Sequence, residues 1–183
     1  MQNPCIEAQV RERCVMSDDA NRLPAYVEAV ILESMRLWPV AQGSIRRVNQ
    51  IHGQTLKDDQ GQSYFFPQGT WIRVDRYALH ASKRNWGDDA HKFDPNRWLD
   101  DGNLIKQGSF HGYCASEGRL TFMPFAYGKR SCIGTNLSLL EVSNVVSSIM
   151  PSFSFASDNV GEYIDFQLTA KPTDGLSVRV LKV

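Results

Sequence analysis

Apolar residues recur at helical spacing in two stretches of the chain and at strand spacing in several others. Val27, Val30, Ile31, Met35 and Trp38 form one stripe, which predicts a helix opened by Pro24 and closed by Pro39. A proline at the first helical position costs nothing, and the residue before a proline is pushed away from helical geometry. Leu137, Leu139, Leu140, Val142, Val145, Val146 and Ile149 predict a second helix, stopped by Pro151. It is apolar on most sides, so it belongs in a protein interior, and the rest of the chain is expected to be too little to cover it.

Between the helices, residues 40–79 break into short extended pieces. Gly61, Pro67 and Gly69 separate them, and Trp71-Ile72-Arg73-Val74 alternates as a strand does. An aromatic stretch without clear period follows, from Trp86 to Trp98. From Asp100 to Gly118, Gly, Ser and Asp dominate and predict an exposed loop, long enough to be mobile or to contact something else. In the tail, Phe166–Thr169 and Leu176–Val180 flank Pro172-Thr173-Asp174-Gly175 and predict a β-hairpin. The class is α+β, mainly helical, with helices and small sheets in separate stretches.

Residues 1–21 read as a polar head, the end of a preceding helix or a loop, with a loop at Ser17–Asn21. Residues 22–183 read as one unit.

Charge and cysteines narrow the function. Twenty basic and twenty acidic residues cancel, which leaves no electrostatic case for a nucleic-acid partner. The longest apolar run is far too short to span a bilayer, and no secretory signal is expected at the start. Cys5, Cys14, Cys114 and Cys132 lack paired C-x-x-C spacing, which argues against a zinc site or a disulfide framework and suits a reducing compartment. His52, His80, His91 and His111 do not fall four apart on a helical pattern, so a zinc-protease reading has no support.

One stretch stands out, Phe125-Ala126-Tyr127-Gly128-Lys129-Arg130-Ser131-Cys132-Ile133-Gly134. It sets a cysteine between two glycines, with an arginine two residues before it and a helical pattern directly after it. Helix starts carry unpaired N–H groups and partial positive charge, and both favour the thiolate, the form that binds metal. On these grounds Cys132 is either a structural cysteine or a metal ligand. Glu33 and Arg36 lie three apart on the first helix and share a face; by spacing alone most such pairs are exposed and contribute little.

Three separated motifs resemble those of the cytochrome P450 family, the haem-thiolate monooxygenases. Phe125-x-x-Gly128-x-Arg130-x-Cys132-x-Gly134 looks like its haem-binding loop. Glu33-Ser34-Met35-Arg36, with Leu37-Trp38-Pro39 after it, resembles its E-x-x-R helix. Phe93-Asp94-Pro95-Asn96-Arg97-Trp98 resembles its F-x-P-x-R-aromatic stretch, in the expected order between the other two. The first motif alone matches a window by chance on the order of once in a million. The resemblance covers residues 22–183 and implies the C-terminal, haem-binding part of the cytochrome P450 fold.

The resemblance implies a haem b cofactor with Cys132 as axial ligand to iron, its thiolate favouring O–O cleavage. Gly128 and Gly134 are expected to let backbone approach the porphyrin, and N–H groups near Gly134 to tune the sulfur. Phe125 is expected over the thiolate side, and Arg130 on a haem propionate. A second propionate arginine is expected after Pro39; Arg46 is the choice and Arg47 the alternate, since spacing does not separate them. Glu33, Arg36 and Arg97 look like the family's structural triad, which would bury the Glu33–Arg36 pair. Val40, Ala41, Gln42, Gly43, Ser44 and Ile45 match a substrate-facing turn, and its composition suits a largely apolar ligand. The implied partners are O2, an apolar small molecule and an electron-donating reductase, with no nucleic acid.

Asn96, Ser138 and Ala126 depart from the family's usual Glu, Ala and small or polar residue; none removes a ligand or a triad member. The oxygen-activating helix, the W-x-x-x-R helix and the membrane anchor of microsomal members find no counterpart in this sequence. The expectation is therefore a C-terminal portion, inactive alone, with membrane contact only through the absent part. Its parent is expected at the cytosolic face of the endoplasmic reticulum if microsomal, and in the cytosol otherwise. Two other readings fit the same residues: an isomerase or dehydratase of the same fold, and a truncated, non-catalytic product. The absence of an insertion between Gly128 and Arg130 favours the monooxygenase.

Overall fold

The computed structural model describes residues 3–16, 23–105, 113–114, 120–157, 163–166, 169–172 and 177–183. Helix α1 spans Pro4–Val15, opened by the Asn3 side chain accepting from the Ile6 N–H, and α2 spans Ala25–Leu37. Pro24 caps α2, where a missing N–H costs nothing. Trp38 already lies beyond its last turn and stacks on Phe93, ring centroids 5.7 Å apart.

Four strands follow: β1 (Gly43–Arg47), β2 (Gln54–Lys57), β3 (Ser63–Phe66) and β4 (Trp71–Asp75). β2 and β3 form a hairpin inside the antiparallel pair of β1 and β4, whose register runs from Gly43 opposite Asp75 to Arg47 opposite Trp71. Gly53 turns into β2 with φ +72°, where a Cβ would lie 2.6 Å from the Phe66 carbonyl oxygen.

Asp75 accepts from the Ala78 N–H and caps α3 (Arg76–Ala81), which leads through α4 (Lys83–Trp86) to a 3-10 turn at Pro95–Trp98. β5 (Leu99–Asp100) and β6 (Asn103–Leu104) make a tight hairpin over Asp101 and Gly102, both at positive φ. The stretch predicted as one long loop thus begins as paired strand. Residues 106–112 and 115–119 of it, His111 and Gly118 included, lie outside the described residues. β7 (Tyr113–Cys114) pairs with β8 (Leu120–Phe122), and α5 (Thr135–Ile149) follows the cysteine loop.

The tail differs from the predicted hairpin. β10 (Tyr163–Phe166) pairs with β11 (Thr169–Pro172), so Pro172 is the last residue of a strand. β12 (Arg179–Lys182) instead pairs with β9 (Phe153–Ala156), which the pattern had not shown as a strand. Turn residues mark where a chain reverses, but the partner onto which it reverses is set by packing at long range. Residues 173–176 and the Ser17–Asn21 loop lie outside the described residues.

Helix α2 is the hub. One side packs Tyr26, Val27 and Ile31 with Val10 of α1, and partly buried Val146 of α5 and Met150 just after it close over that cluster. The other side packs Ala29 and Leu32 against Trp98 and Phe122. The polar head is tied in as well: Arg11 donates to the carbonyls of Met150 and Phe153. Helices form the core, and six two-stranded sheets sit around it among the described residues. No described helix is long and apolar enough to cross a membrane. On α5 only Thr135 is buried, and Leu137, Leu140, Val142 and Val145 are exposed, so its apolar surface is largely uncovered among the described residues.

Leu32 is fully buried and Leu137 is 61% exposed. Leu32→Ala is expected to lower the unfolding free energy by about 2–5 kcal/mol, and Leu137→Ala by less than ~0.5 kcal/mol. Urea titration of the two variants measures the difference.

Candidate functional site

The site is built on a buried carboxylate. Glu33 and Arg36 face each other from one turn of α2, and both side chains are 0% exposed. Arg36 grips Glu33 with two bonds, Nε to Oε2 and Nη2 to Oε1, each 2.8 Å. Its remaining N–H groups reach the carbonyls of His80 (2.8 Å), Ala90 (2.6 Å) and Lys92 (3.1 Å). Glu33 Oε1 also accepts from the Asp94 N–H and from Arg97 Nε, both at 3.0 Å, and Oε2 accepts from Trp98 Nε1 at 3.0 Å. The geometry joins Glu33, Arg36 and Arg97. It adds two donors that the motif did not show, the Trp98 indole and the Asp94 amide.

Arg36 carries this network to α3, because the His80 carbonyl it holds belongs to a residue whose ring is also engaged. His80 Nε2 accepts from the Met123 N–H at 3.0 Å, and the ring packs on Phe122 with centroids 5.0 Å apart. The imidazole is pushed down to about 4, mainly by burial. The Arg36 backbone carbonyl pulls the other way, the charges of Arg36 and Arg76 add to the depression, and the Met35 backbone opposes it.

Beyond Met123 the cysteine loop opens. Met123 accepts from the Ala126 N–H (3.1 Å), and Phe125 accepts from the Cys132 N–H (2.8 Å), closing the loop on itself. Gly128, at the head of a 3-10 turn through Arg130, has φ +78° with no atom within 4 Å of a Cβ position. Glycine is thus required here by backbone conformation. Ala126 also has positive φ, +62°, which costs an L-residue roughly 1–2 kcal/mol. Gly134 caps α5 with an ordinary φ of −84°, and a Cβ there would sit 3.8 Å from Cys132 Sγ, normal contact. Cys132 lies two residues before that cap and is exposed. Thr135, which sequence reasoning missed, is buried and donates Oγ1–H to the Cys132 carbonyl at 2.8 Å.

Cys132 opens onto a cavity of about 400 Å³. Phe125, Ala126 and Pro124 wall it from the loop side, and Val40, Ala41 and Ser44 from the turn after Pro39. Three cations line it, Arg46, Arg76 and Arg130, and no lining residue is acidic. Arg47 is not on this wall; its guanidinium lies 5.7 Å over the Trp71 ring. Gln42 and Gly43 do not line the cavity but are held beside it by Arg76. The Arg76 backbone N–H donates to the Gln42 carbonyl (2.7 Å), and its guanidinium donates to the carbonyls of Ala41 (2.6 Å) and Gly43. Burial lowers the Arg76 pKa, with a further contribution from Arg46.

A family model described as Cytochrome P450 matches residues 4–178. The chain belongs to the cytochrome P450 family. It is 34% identical over 159 residues to cytochrome P450 monooxygenase cfoH of Aspergillus candidus, covering 82% of this chain and 28% of that one. A pisatin demethylase of Fusarium vanettenii is 35% identical over 149 residues, 81% of this chain and 26% of its own. Human cytochrome P450 2U1 is 33% identical over 163 residues, with 84% and 26% covered. Among solved structures, a retinoic-acid-bound cyanobacterial CYP120A1 has a TM-score of 0.75 at 22% identity, over 97% of this chain and 39% of that chain. CYP102L1 has a TM-score of 0.71 at 27% identity, over all of this chain and 39% of that one. The chain thus spans between a quarter and a third of the curated relatives it matches.

Membership in a cytochrome P450 family implies a haem cofactor, and the cavity suits one. It combines a single soft thiol donor, cations for acidic side groups and an apolar wall. The match starts at residue 4, so it includes α1 as well as the region from Arg22 onward.

Two outcomes are expected. Glu33→Gln keeps the shape but leaves Arg36 without its buried counter-charge, and is expected to cost about 3–5 kcal/mol in urea unfolding. The depressed His80 pKa makes stability pH-dependent with a definite sign: between 6.5 and about 4 the unfolded chain binds the proton and the folded one resists it. The contribution, up to about 3 kcal/mol, is complete above pH 6.5 and lost as pH falls toward 4. His80→Gln, which has no titrating ring, is expected to lack that part of the slope.

Proposed function

We propose that this chain holds the proximal side of the haem b site of a haem-thiolate monooxygenase. The observation that carries the reading is one cavity shared by Cys132, Phe125, Arg46 and Arg130, on a loop tied to the buried Glu33 network. Cys132 would supply the thiolate that holds the haem iron, and Arg130 and Arg46 would hold the propionates by charge-assisted bonds. Arg46 is favoured over Arg47 because only Arg46 is on the cavity wall. With haem in place, Phe125 and Pro124 would help to keep water from the sulfur. Val40, Ala41 and Ser44 form the substrate-facing wall, with Gln42 and Gly43 behind it, which suits an apolar substrate.

When bound, the haem supplies O2 binding and reduction, one oxygen atom entering the substrate and the other leaving as water. The electrons come from a separate reductase. The residues of this chain do the holding: they fix the sulfur, neutralise the acid groups and keep the thiolate side dry. Glu33, Arg36 and Arg97 act as scaffold and in haem retention rather than in chemistry. In a microsomal parent the site faces the cytosol at the endoplasmic reticulum membrane. The chain alone is inactive, because the oxygen-activating side of the site is formed by the rest of the family fold. The uncovered face of α5 and the quarter to a third of the relatives' length support this.

Haem is added to the chain, reduced and exposed to CO. A thiolate-type Soret band is expected in the wild type and absent in Cys132→Ser; a band that survives the substitution overturns the ligand assignment. Arg130→Met and Arg46→Met are each expected to weaken haem binding about tenfold, and Arg47→Met to leave it unchanged. Substrate oxidation by the chain alone with a reductase overturns the claim of inactivity.

A further inference from the structure

His80 is fully buried and makes two long-range connections. Its carbonyl accepts from Arg36 Nη1, and its ring accepts from the backbone of Met123, forty-three residues away. A backbone N–H can only donate, so Nε2 is the unprotonated nitrogen and the neutral ring carries its proton on Nδ1. Nδ1 has no hydrogen bond of good geometry. The ring is therefore retained in a buried place, against Phe122, with one of its nitrogens poorly served. A hydrophobic residue would fill that space without leaving a nitrogen unserved, so the lone pair on Nε2 is what the position uses.

Met123 is where β8 has ended and the cysteine loop begins. From it, two backbone bonds lead onward: the Ala126 N–H to the Met123 carbonyl, and the Cys132 N–H to the Phe125 carbonyl. Ala126 is held at positive φ between them, a conformation that persists only when its surroundings over-determine it. We infer that His80 is a positioning residue: its Nε2 lone pair pins the Met123 amide, and through it sets the register and strain of the loop that presents Cys132. The inference rests on the proposed haem-thiolate reading for its consequence at the metal, but not for the hydrogen bond itself. It makes one residue the joint between two sequence motifs, the Glu33–Arg36 helix and the cysteine loop.

The 183-residue chain is compared as wild type, His80→Gln and His80→Leu. Gln places an amide oxygen near the position of Nε2, whereas Leu fills the space without an acceptor. Amide exchange at Met123 and Cys132 is measured first in the haem-free chain. The CO-reduced spectrum follows after haem is added. Wild type and His80→Gln are expected to protect both amides and give the thiolate-type band. His80→Leu is expected to exchange at Met123 on the order of tenfold faster and to shift part of the band to the thiol type. Leu behaving as wild type overturns the inference, as does Gln behaving as Leu, which would leave only a space-filling role. So does an unprotected Met123 amide in the wild type. A wild type that protects Met123 but binds no haem defeats the proposed function and leaves the exchange data to judge His80.

Discussion

A carboxylate with no access to water must replace its entire hydration shell with protein donors, and at Glu33 that requirement shapes everything around it. Five N–H groups answer it: two from Arg36, and one each from Asp94, Arg97 and Trp98. Those donors come from α2 and from the 3-10 turn at Pro95–Trp98 with the residue before it, so the carboxylate cannot be satisfied until the aromatic stretch folds against the helix. Arg36 imposes the same condition on the backbone at His80, Ala90 and Lys92. Such a pair adds little net stability over a hydrophobic core of equal volume, but it tolerates few arrangements other than this one. Its value is in fixing geometry.

That geometry is delivered to the cysteine loop by a short mechanical path. Arg36 holds the backbone of α3, the His80 ring holds Met123, and the loop closes on itself at Phe125 and Cys132. On the opposite wall, Arg76 does similar work on the turn after Pro39 by binding three successive carbonyls. The cavity therefore has two walls built by buried cations acting on backbone, and its own surface carries three guanidinium groups, one hydroxyl and one thiol among apolar side chains. The large apolar surface of α5 lies outside this unit, which agrees with a chain that spans a fraction of its relatives.

Much of this was legible in the sequence because it is carried by local pattern. The stripe from Val27 to Met35 and its two prolines gave α2, and the motif spacing brought Glu33, Arg36, Arg97 and Cys132 forward together. What stayed hidden depends on long-range backbone contact. Trp98 and Asp94 could be seen as neighbours of Arg97 but not as donors to Glu33. The pattern reads as extended up to Leu79, and nothing local shows that Arg76 and His80 stand on a short helix with carbonyls and an amide far along the chain as partners. The pairing of β12 with β9 was missed for the same reason. At Gly128 the backbone angle adds a reason for glycine that the motif alone does not show.

The central claim is that one buried network holds the loop that presents Cys132. The most direct measurement is a double-mutant cycle on the rate of haem loss, with Glu33→Gln, Arg97→Met and the two combined. If the network acts as a unit, each single variant releases haem faster and the double is little worse than the poorer single. Rates that multiply independently, or haem loss unchanged by either substitution, contradict the account.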